Sequence, residues 1–176
     1  MARPEKEVFV IVGDGSYLML AQEIITSIQE GYKLIILLID NQGYKSIGSL
    51  SRSIGSGGFG TRLLKRSNGN IPKDDSSYRA KKGDMNIDYM TNASSMGARV
   101  YEAHTASKLS EVIKMARNEK QTTLIYTTCD RYKEVENFAW WDVPIAEVSN
   151  VQSVQEAHGT YLQNKANQRF PNSPIQ

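Results

Sequence analysis

Two uninterrupted apolar segments near the start of the chain predict neighbouring strands of a buried sheet. Residues 8–12 and 34–39 consist of hydrophobic side chains, many of them β-branched, which is typical of strands. Neither segment alternates with polar residues. We therefore expect both faces of each strand to be covered, as in a parallel sheet.

The segment between these strands has the spacing of an amphipathic helix. Leu18, Ala21, Ile25 and Ile28 follow one another at intervals of three or four residues, so residues 17–30 are predicted to form one helix that buries this face. Gly31 ends the helix. A strand, helix and strand in this order form a right-handed crossover, whose ligand site lies at the carboxyl ends of the strands.

The remaining pattern predicts one α/β domain over residues 1–165 and a tail over residues 166–176. Helices are expected at 86–96, 107–118 and 151–165, and strands at 98–101 and 122–128. Residues 43–84 are rich in glycine, serine and charged side chains and are interpreted as a long flexible insertion. A loop of this length is usually functional or mobile, which leaves a functional segment and a flexible surface insertion as alternatives.

Composition narrows the classes of function. With 176 residues, 40% of them hydrophobic, the chain is long enough for one α/β domain with a core. Its net charge of +2 does not favour nucleic acid or a membrane surface as a partner. The apolar segments are far shorter than the roughly 20 residues of a membrane helix, and we expect a cytoplasmic protein. The one cysteine, Cys129, cannot form an internal disulfide and is expected to be buried.

Polar residues that follow the two strands indicate a phosphate site. Gly13, Asp14 and Gly15 come directly after the first strand, and Asn41 follows the second, 27 residues after Asp14. Glycines let backbone amides approach an anion, and Ser16 adds a hydroxyl near the start of the helix. Because the carboxyl ends of neighbouring parallel strands meet at one edge, we expect these residues to converge.

The carboxylate of Asp14 changes the kind of phosphate site that is predicted. Its negative charge would repel a bare phosphate, but a divalent cation reverses this effect, since it bridges carboxylate, amide and phosphate oxygens. Asn41 supplies an amide oxygen, and the carbonyl oxygen of Gly43 is a plausible third protein ligand. The residues thus predict a magnesium ion that holds a diphosphate.

This pattern resembles the signature of thiamine diphosphate-dependent enzymes, a Gly-Asp-Gly triplet followed after a fixed interval by an Asn-Asn or Asp-Asn pair. Here the triplet is 13–15 and the pair is Asp40-Asn41. Ser16 matches a serine that often follows the triplet, and Tyr44 matches the aromatic position after the pair.

The resemblance implies that thiamine diphosphate and Mg²⁺ are the cofactors. It implies that Asp14, Asn41 and the main-chain carbonyl of Gly43 hold the metal on the diphosphate. The cofactor-binding set that it implies is Gly13, Asp14, Gly15, Ser16, Asn41, Gly43 and Tyr44.

Later segments resemble a particular branch of this family. Residues 86–89, three small residues at positions 93, 94 and 97, and the stretch 140–149, which begins with Trp140 and Trp141, are similar to the carboxyl-terminal domain of trihydroxycyclohexanedione hydrolases. These enzymes open a ring in inositol catabolism. The resemblance therefore implies a cyclic dione substrate and hydrolysis of a C–C bond, although the two tryptophans also fit a purely structural role.

The resemblance also implies parts that lie outside these 176 residues. Family enzymes have a pyrimidine-binding domain whose glutamate activates the cofactor, so no catalytic residue is assigned here. Their diphosphate domain is a three-layer sandwich of a mostly parallel sheet with helices on both faces, and it begins with an earlier strand and helix, which implies truncation at the N-terminus. The expected partner is a pyrimidine-binding domain of the same enzyme or a second subunit, in a homo-oligomer.

Two other functions stay open at this point. A nicotinamide dinucleotide-binding domain would also place glycines after the first strand and Asp40 at the end of the second. Its third glycine, however, would be at Leu18, and Asp14 would face pyrophosphate without a cation. The other alternative is a non-catalytic fragment of the same fold.

Overall fold

The computed structural model describes residues 3, 5–58, 60–65, 85–131, 133 and 142–168. In this part of the chain four strands form one sheet with the order β1-β2-β4-β3, and every neighbouring pair is parallel. The strands are β1 Val8–Gly13, β2 Leu34–Asp40, β3 Arg99–Glu102 and β4 Thr123–Thr128. All four predicted strands are confirmed.

The described helices separate these strands or follow the last of them. They are α1 Asp14–Leu20, α2 Glu23–Gln29, α3 Lys45–Ser53, α4 Tyr89–Ser95, α5 Ala106–Asn118 and α6 Gln152–Ala166. Within the described residues, no helix has the length and apolar character needed to cross a membrane.

Two hydrophobic clusters lie on opposite faces of the sheet. One joins Ile36, Leu38 and Leu124 of the sheet to side chains of α1, α2 and α4. The other joins Ile35 and Ile125 to side chains of α5. The predicted three-layer α/β fold with a parallel central sheet is therefore confirmed.

The first helix differs from the prediction. The chain forms α1 and α2 rather than one helix over 17–30, and tight hydrogen bonds from Ile24 N to Ala21 O and from Ile25 N to Gln22 O mark the turn between them. The predicted buried face was also wrong, since Leu18, Ile25 and Ile28 are exposed. The buried residues are Tyr17, Ile24 and Ser27.

A polar residue on the buried face explains this error. The Ser27 hydroxyl donates to Ile24 O at 2.8 Å and lies 2.8 Å from Thr122 Oγ1. Because these contacts satisfy its polar atoms, serine can occupy an interior position that a hydrophobic pattern assigns to the surface.

Strand β1 is covered on one face only, which contradicts the prediction of burial on both faces. Phe9 and Ile11 are 47% and 71% exposed. The physical reason is position: β1 is an edge strand, and the α5 side of the sheet is covered over the other strands.

The insertion predicted over 43–84 contains regular structure. Helix α3 was missed because its sequence is rich in serine and contains a glycine, residues with weak helix propensity. Residues 66–84 of this predicted insertion, Trp140 and Trp141, and positions 169–176 of the predicted tail lie outside the described residues. Cys129 is exposed rather than buried.

Candidate cofactor-binding site

Asp14 is the centre of a buried polar cluster at the carboxyl ends of β1 and β2. Its side chain is 0% exposed. Oδ1 accepts a hydrogen bond from Asn41 N at 3.1 Å, and Oδ2 accepts one from Gly43 N at 2.5 Å. The two strand ends are thus joined through one carboxylate, and the structure brings together the three residues predicted as metal ligands.

The side chain of Asn41 completes a group of three oxygen-bearing residues. In one orientation of its amide, Nδ2 donates to Gly43 O at 3.0 Å and to Asp14 Oδ1 at 3.3 Å. Rotation of the amide by 180° puts Oδ1 in that place, so that three oxygens face one another. Oxygens without a proton between them repel one another, and a cation bound among them would offset this repulsion in the second orientation.

The spacing of these three groups fits a small divalent ion. Ligand oxygens about 2.1 Å from Mg²⁺ in an octahedral shell are about 3 Å from their neighbours. The 3.0 and 3.3 Å separations around the Asn41 amide are close to this value. The residues present therefore fit a magnesium ion by both their chemistry and their geometry.

Gly43 occupies a position that excludes a side chain. Its φ is 132°, and a Cβ built on it would lie 2.5 Å from Thr61 O. The next residue, Tyr44, donates its N–H to the same oxygen at 2.8 Å. Contact with the Thr61 segment therefore fixes the loop that carries the third predicted ligand.

The two glycines of the triplet differ in their surroundings. A Cβ on Gly15 would lie 2.7 Å from Tyr44 Cδ1 and 2.9 Å from Gly43 O, whereas a Cβ on Gly13 would meet Asn41 Nδ2 at 3.6 Å, an ordinary contact. Ser16 lies exposed in the first turn of α1. Gly15 and Tyr44 thus pack against each other beside the carbonyl of Gly43.

Three tyrosines that were not predicted as site residues lie around the cluster. Tyr89 OH lies 3.5 Å from Asp14 Oδ2, and its ring contacts those of Tyr17 and Tyr126 at centroid distances of 5.7 and 6.3 Å. Tyr126 OH donates to Asp40 Oδ2 at 2.7 Å. The register of β2 on β4 pairs Leu38 with Tyr126, so a prediction of strand register would have indicated that Tyr126 lies near Asp40.

Burial controls the ionisation of these groups. It is the largest influence on Asp14 and raises the pKa of that carboxyl, while the backbone hydrogen bonds from Asn41 and Gly43 act against it and the Asp40 charge adds to it. Burial also raises the pKa of Tyr89 and Tyr126, which keeps both hydroxyls as donors. A bound cation would stabilise the ionised form of Asp14.

His, Cys, Asp and Glu side chains do not offer an alternative metal site in the described ranges. Among them, no group of three or more His, Cys, Asp and Glu side chains lies together. His104, for example, contacts one carboxylate, with Nε2 2.7 Å from Glu102 Oε1. The cluster around Asp14 is therefore the candidate site.

The fold belongs to a known class of enzyme. The family described as "Thiamine pyrophosphate enzyme, C-terminal TPP binding domain" matches residues 1–127. The chain belongs to this family, as the Gly-Asp-Gly and Asp-Asn residues predicted. The assignment supports thiamine diphosphate (TPP) as the cofactor and disfavours the nicotinamide dinucleotide alternative.

Relatives of known name refine this class. The chain is 36% identical over 170 residues to "3D-(3,5/4)-trihydroxycyclohexane-1,2-dione hydrolase 2" of Bacillus cereus, a match that covers 93% of this chain and 24% of the relative. It is 38% identical over 164 residues to "3D-(3,5/4)-trihydroxycyclohexane-1,2-dione hydrolase" of Shouchella clausii, covering 90% and 23%. The chain thus spans about a quarter of the length of these relatives.

Solved structures agree on the fold. A thiamine diphosphate-dependent 4-hydroxybenzoylformate decarboxylase of Rhodococcus jostii RHA1 superposes with a TM-score of 0.54 at 19% identity, covering 73% of this chain and 21% of that chain. Benzoylformate decarboxylase from Polynucleobacter necessarius gives a TM-score of 0.54 at 19% identity, covering 74% and 20%. At this level of sequence identity the similarity shows a shared fold and nothing further.

Proposed function

We propose that this chain anchors thiamine diphosphate through a magnesium ion, as part of an enzyme that hydrolyses a C–C bond of trihydroxycyclohexane-1,2-dione in inositol catabolism. The observation that carries the proposal is the convergence of Asp14, Asn41 and Gly43 O at one point. The substrate is inferred from the names of the relatives.

In this proposal each residue of the site has a distinct part. Asp14 Oδ1, Asn41 Oδ1 and Gly43 O would hold the metal. Gly13, Gly15 and Ser16 would border the diphosphate, and the ring of Tyr44 would pack against Gly15. Thiamine diphosphate, when bound, supplies carbanion chemistry, whereas the protein supplies binding, orientation and electrostatics.

The charge of Asp14 is what makes a metal necessary in this proposal. A buried carboxylate directly beside a diphosphate would be repelled by it. With Mg²⁺ bound, the same carboxylate would be a ligand, and the burial that raises its pKa in the metal-free protein would shield the ion pair from water.

The whole enzyme needs groups that this chain does not supply. We propose that a pyrimidine-binding domain, from the same enzyme or a second subunit of a homo-oligomer, provides the activating glutamate and completes a cytoplasmic enzyme. The share of the relatives that this chain spans supports a further domain in the same enzyme. The isolated chain is then expected to bind its cofactor weakly and to be inactive.

Calorimetry tests the anchoring function directly. Mg²⁺ titrated into the chain with excess thiamine diphosphate should give a binding isotherm, and Asp14→Ala should abolish it while the circular dichroism spectrum stays folded. Asp142→Ala is a matched control, since Asp142 accepts a hydrogen bond from Tyr161 of α6 instead of joining the strand ends. Unchanged Mg²⁺ affinity in Asp14→Ala would remove this residue from the site.

Two further measurements separate the alternatives. Tight binding of NAD without metal would reverse the choice of cofactor. Ring opening, assayed after a separately expressed pyrimidine-binding domain is added, tests the enzyme itself. Failure of every combination, with Mg²⁺ and cofactor binding intact, would favour the non-catalytic fragment.

A further inference from the structure

Gln42, which lies between two of the proposed ligands, has an unusual backbone conformation. Its φ is 63°, and it is the non-glycine residue with positive φ in the described part of the chain. An L-residue is disfavoured there because its Cβ crowds the following carbonyl. Such a conformation persists only where its surroundings hold it in place.

The backbone N–H of Gln42 is held by hydrogen bonds that lead to β4. Gln42 N donates to Asp40 Oδ1 at 2.8 Å, and the other oxygen of that carboxylate accepts from Tyr126 OH at 2.7 Å. Because each oxygen of Asp40 has its own donor, the carboxylate cannot rotate without losing one of them. The Tyr126 hydroxyl therefore fixes the acceptor that holds Gln42 N.

The backbone carbonyl of Gln42 is held by the segment after β4. Arg131 is 3% exposed, and its Nη1 donates to Gln42 O at 2.8 Å. A guanidinium donor to a carbonyl is a charge-assisted hydrogen bond and is stronger than a neutral one. Both sides of the strained residue are thus tied to β4 and the residues that follow it.

The conformation of Gln42 decides where the next peptide points. In the observed geometry Gly43 N donates to Asp14 Oδ2, and Gly43 O faces the Asn41 amide. Relaxation of Gln42 to negative φ would rotate the peptide between residues 42 and 43. Both contacts would then be lost.

We infer that Tyr126 and Arg131 are positioning residues, which hold Gln42 in the left-handed conformation and thereby aim Gly43 at the metal site. This inference rests on the proposed function for its link to Mg²⁺. The geometric part, the control of Gly43 by residues of β4 and its extension, is testable without any metal.

The metal-free test is hydrogen exchange of the Gly43 amide, followed by NMR. Tyr126→Phe removes one hydroxyl, and Arg131→Met removes the guanidinium. Each substitution is expected to speed exchange of the Gly43 amide about tenfold. The reason is that the hydrogen bonds that offset the free-energy cost of the left-handed conformation of Gln42 are weakened or lost. Tyr101→Phe and Arg117→Met are matched controls, since these side chains bind Glu119 and Glu7 instead.

Rescue distinguishes positioning from a general structural role. Glycine adopts positive φ freely, so Gln42→Gly should restore slow Gly43 exchange in both variants. The same variants should bind Mg²⁺ about tenfold more weakly in the presence of thiamine diphosphate, and Gln42→Gly should restore most of this loss. If Arg131→Met does not fold, Tyr126→Phe and its rescue decide the question.

The outcomes separate this inference from the proposed function. Normal exchange and affinity in folded variants, or no rescue by Gln42→Gly, would overturn the positioning role and leave the magnesium site standing. Altered exchange with rescue, in a wild-type chain that binds no Mg²⁺ with thiamine diphosphate, would support the positioning of Gly43 and overturn the proposed function.

Discussion

Substitution of Gly15 by alanine is expected to damage the site without removing any proposed ligand. The added methyl would lie 2.7 and 2.9 Å from two carbons of the Tyr44 ring and 2.9 Å from Gly43 O. Carbon atoms in contact are normally about 3.5–4.0 Å apart, so the overlap is roughly 1 Å. Tyr44 and the Gly43 carbonyl must therefore move.

The magnitude follows from the cost of overpacking. Inserting a methyl into a packed site costs roughly 1–3 kcal/mol. A change of 1 kcal/mol shifts the melting temperature of a domain of this size by about 2–4 °C, so Gly15→Ala should lower it by about 2–12 °C. Because Gly43 O is displaced, Mg²⁺ affinity should also fall.

Gly13→Ala is the matched control from the same motif. A Cβ there would be 3.6 Å from Asn41 Nδ2, and Gly13 has φ −77° and ψ 158°, which alanine adopts without strain. Its metal-free melting temperature should be unchanged or slightly raised. Differential scanning calorimetry measures both variants. Equal melting temperatures for the two, or an unaltered Gly15→Ala, would refute the packing argument.

Three further results are expected. Burial raises the pKa of Asp14 above its ordinary value of 3.8, so the folded protein binds this proton more tightly than the unfolded chain does. The free energy of unfolding of the metal-free protein should therefore fall as the pH rises from 3.8 through the raised pKa, and urea titrations should show a smaller fall in Asp14→Ala. Thr122→Val should cost about 1–3 kcal/mol in urea unfolding, since it removes the acceptor of the Leu34 N–H of β2 and one of the two contacts of the buried Ser27 hydroxyl; a loss below about 0.5 kcal/mol would contradict this reason. Leu38→Ala should cost about 2–5 kcal/mol because Leu38 is fully buried, whereas Ile11→Ala, at a residue 71% exposed, should cost far less; similar losses in thermal unfolding would mean that β1 is covered.

The local sequence pattern was sufficient for features that depend on one segment of the chain. Runs of apolar, largely β-branched residues determined the strands because such side chains favour extended backbone, although the exposed face of β1 shows that they did not determine which faces are covered. The Gly-Asp-Gly and Asp-Asn residues indicated the family through their resemblance to its signature, and the family match over residues 1–127 agrees. These features are properties of single segments and their order.

Tertiary structure decided whatever depends on contacts between distant segments. The burial of Ser27 depends on Thr122, which is 95 residues away in the chain, and the exposure of Ile11 depends on the position of β1 at the edge of the sheet. The left-handed conformation of Gln42 depends on Tyr126 and Arg131. The sequence by itself thus determined the strands and the family, while packing between remote segments decided which faces are covered and how Asp14, Asn41 and Gly43 are brought together.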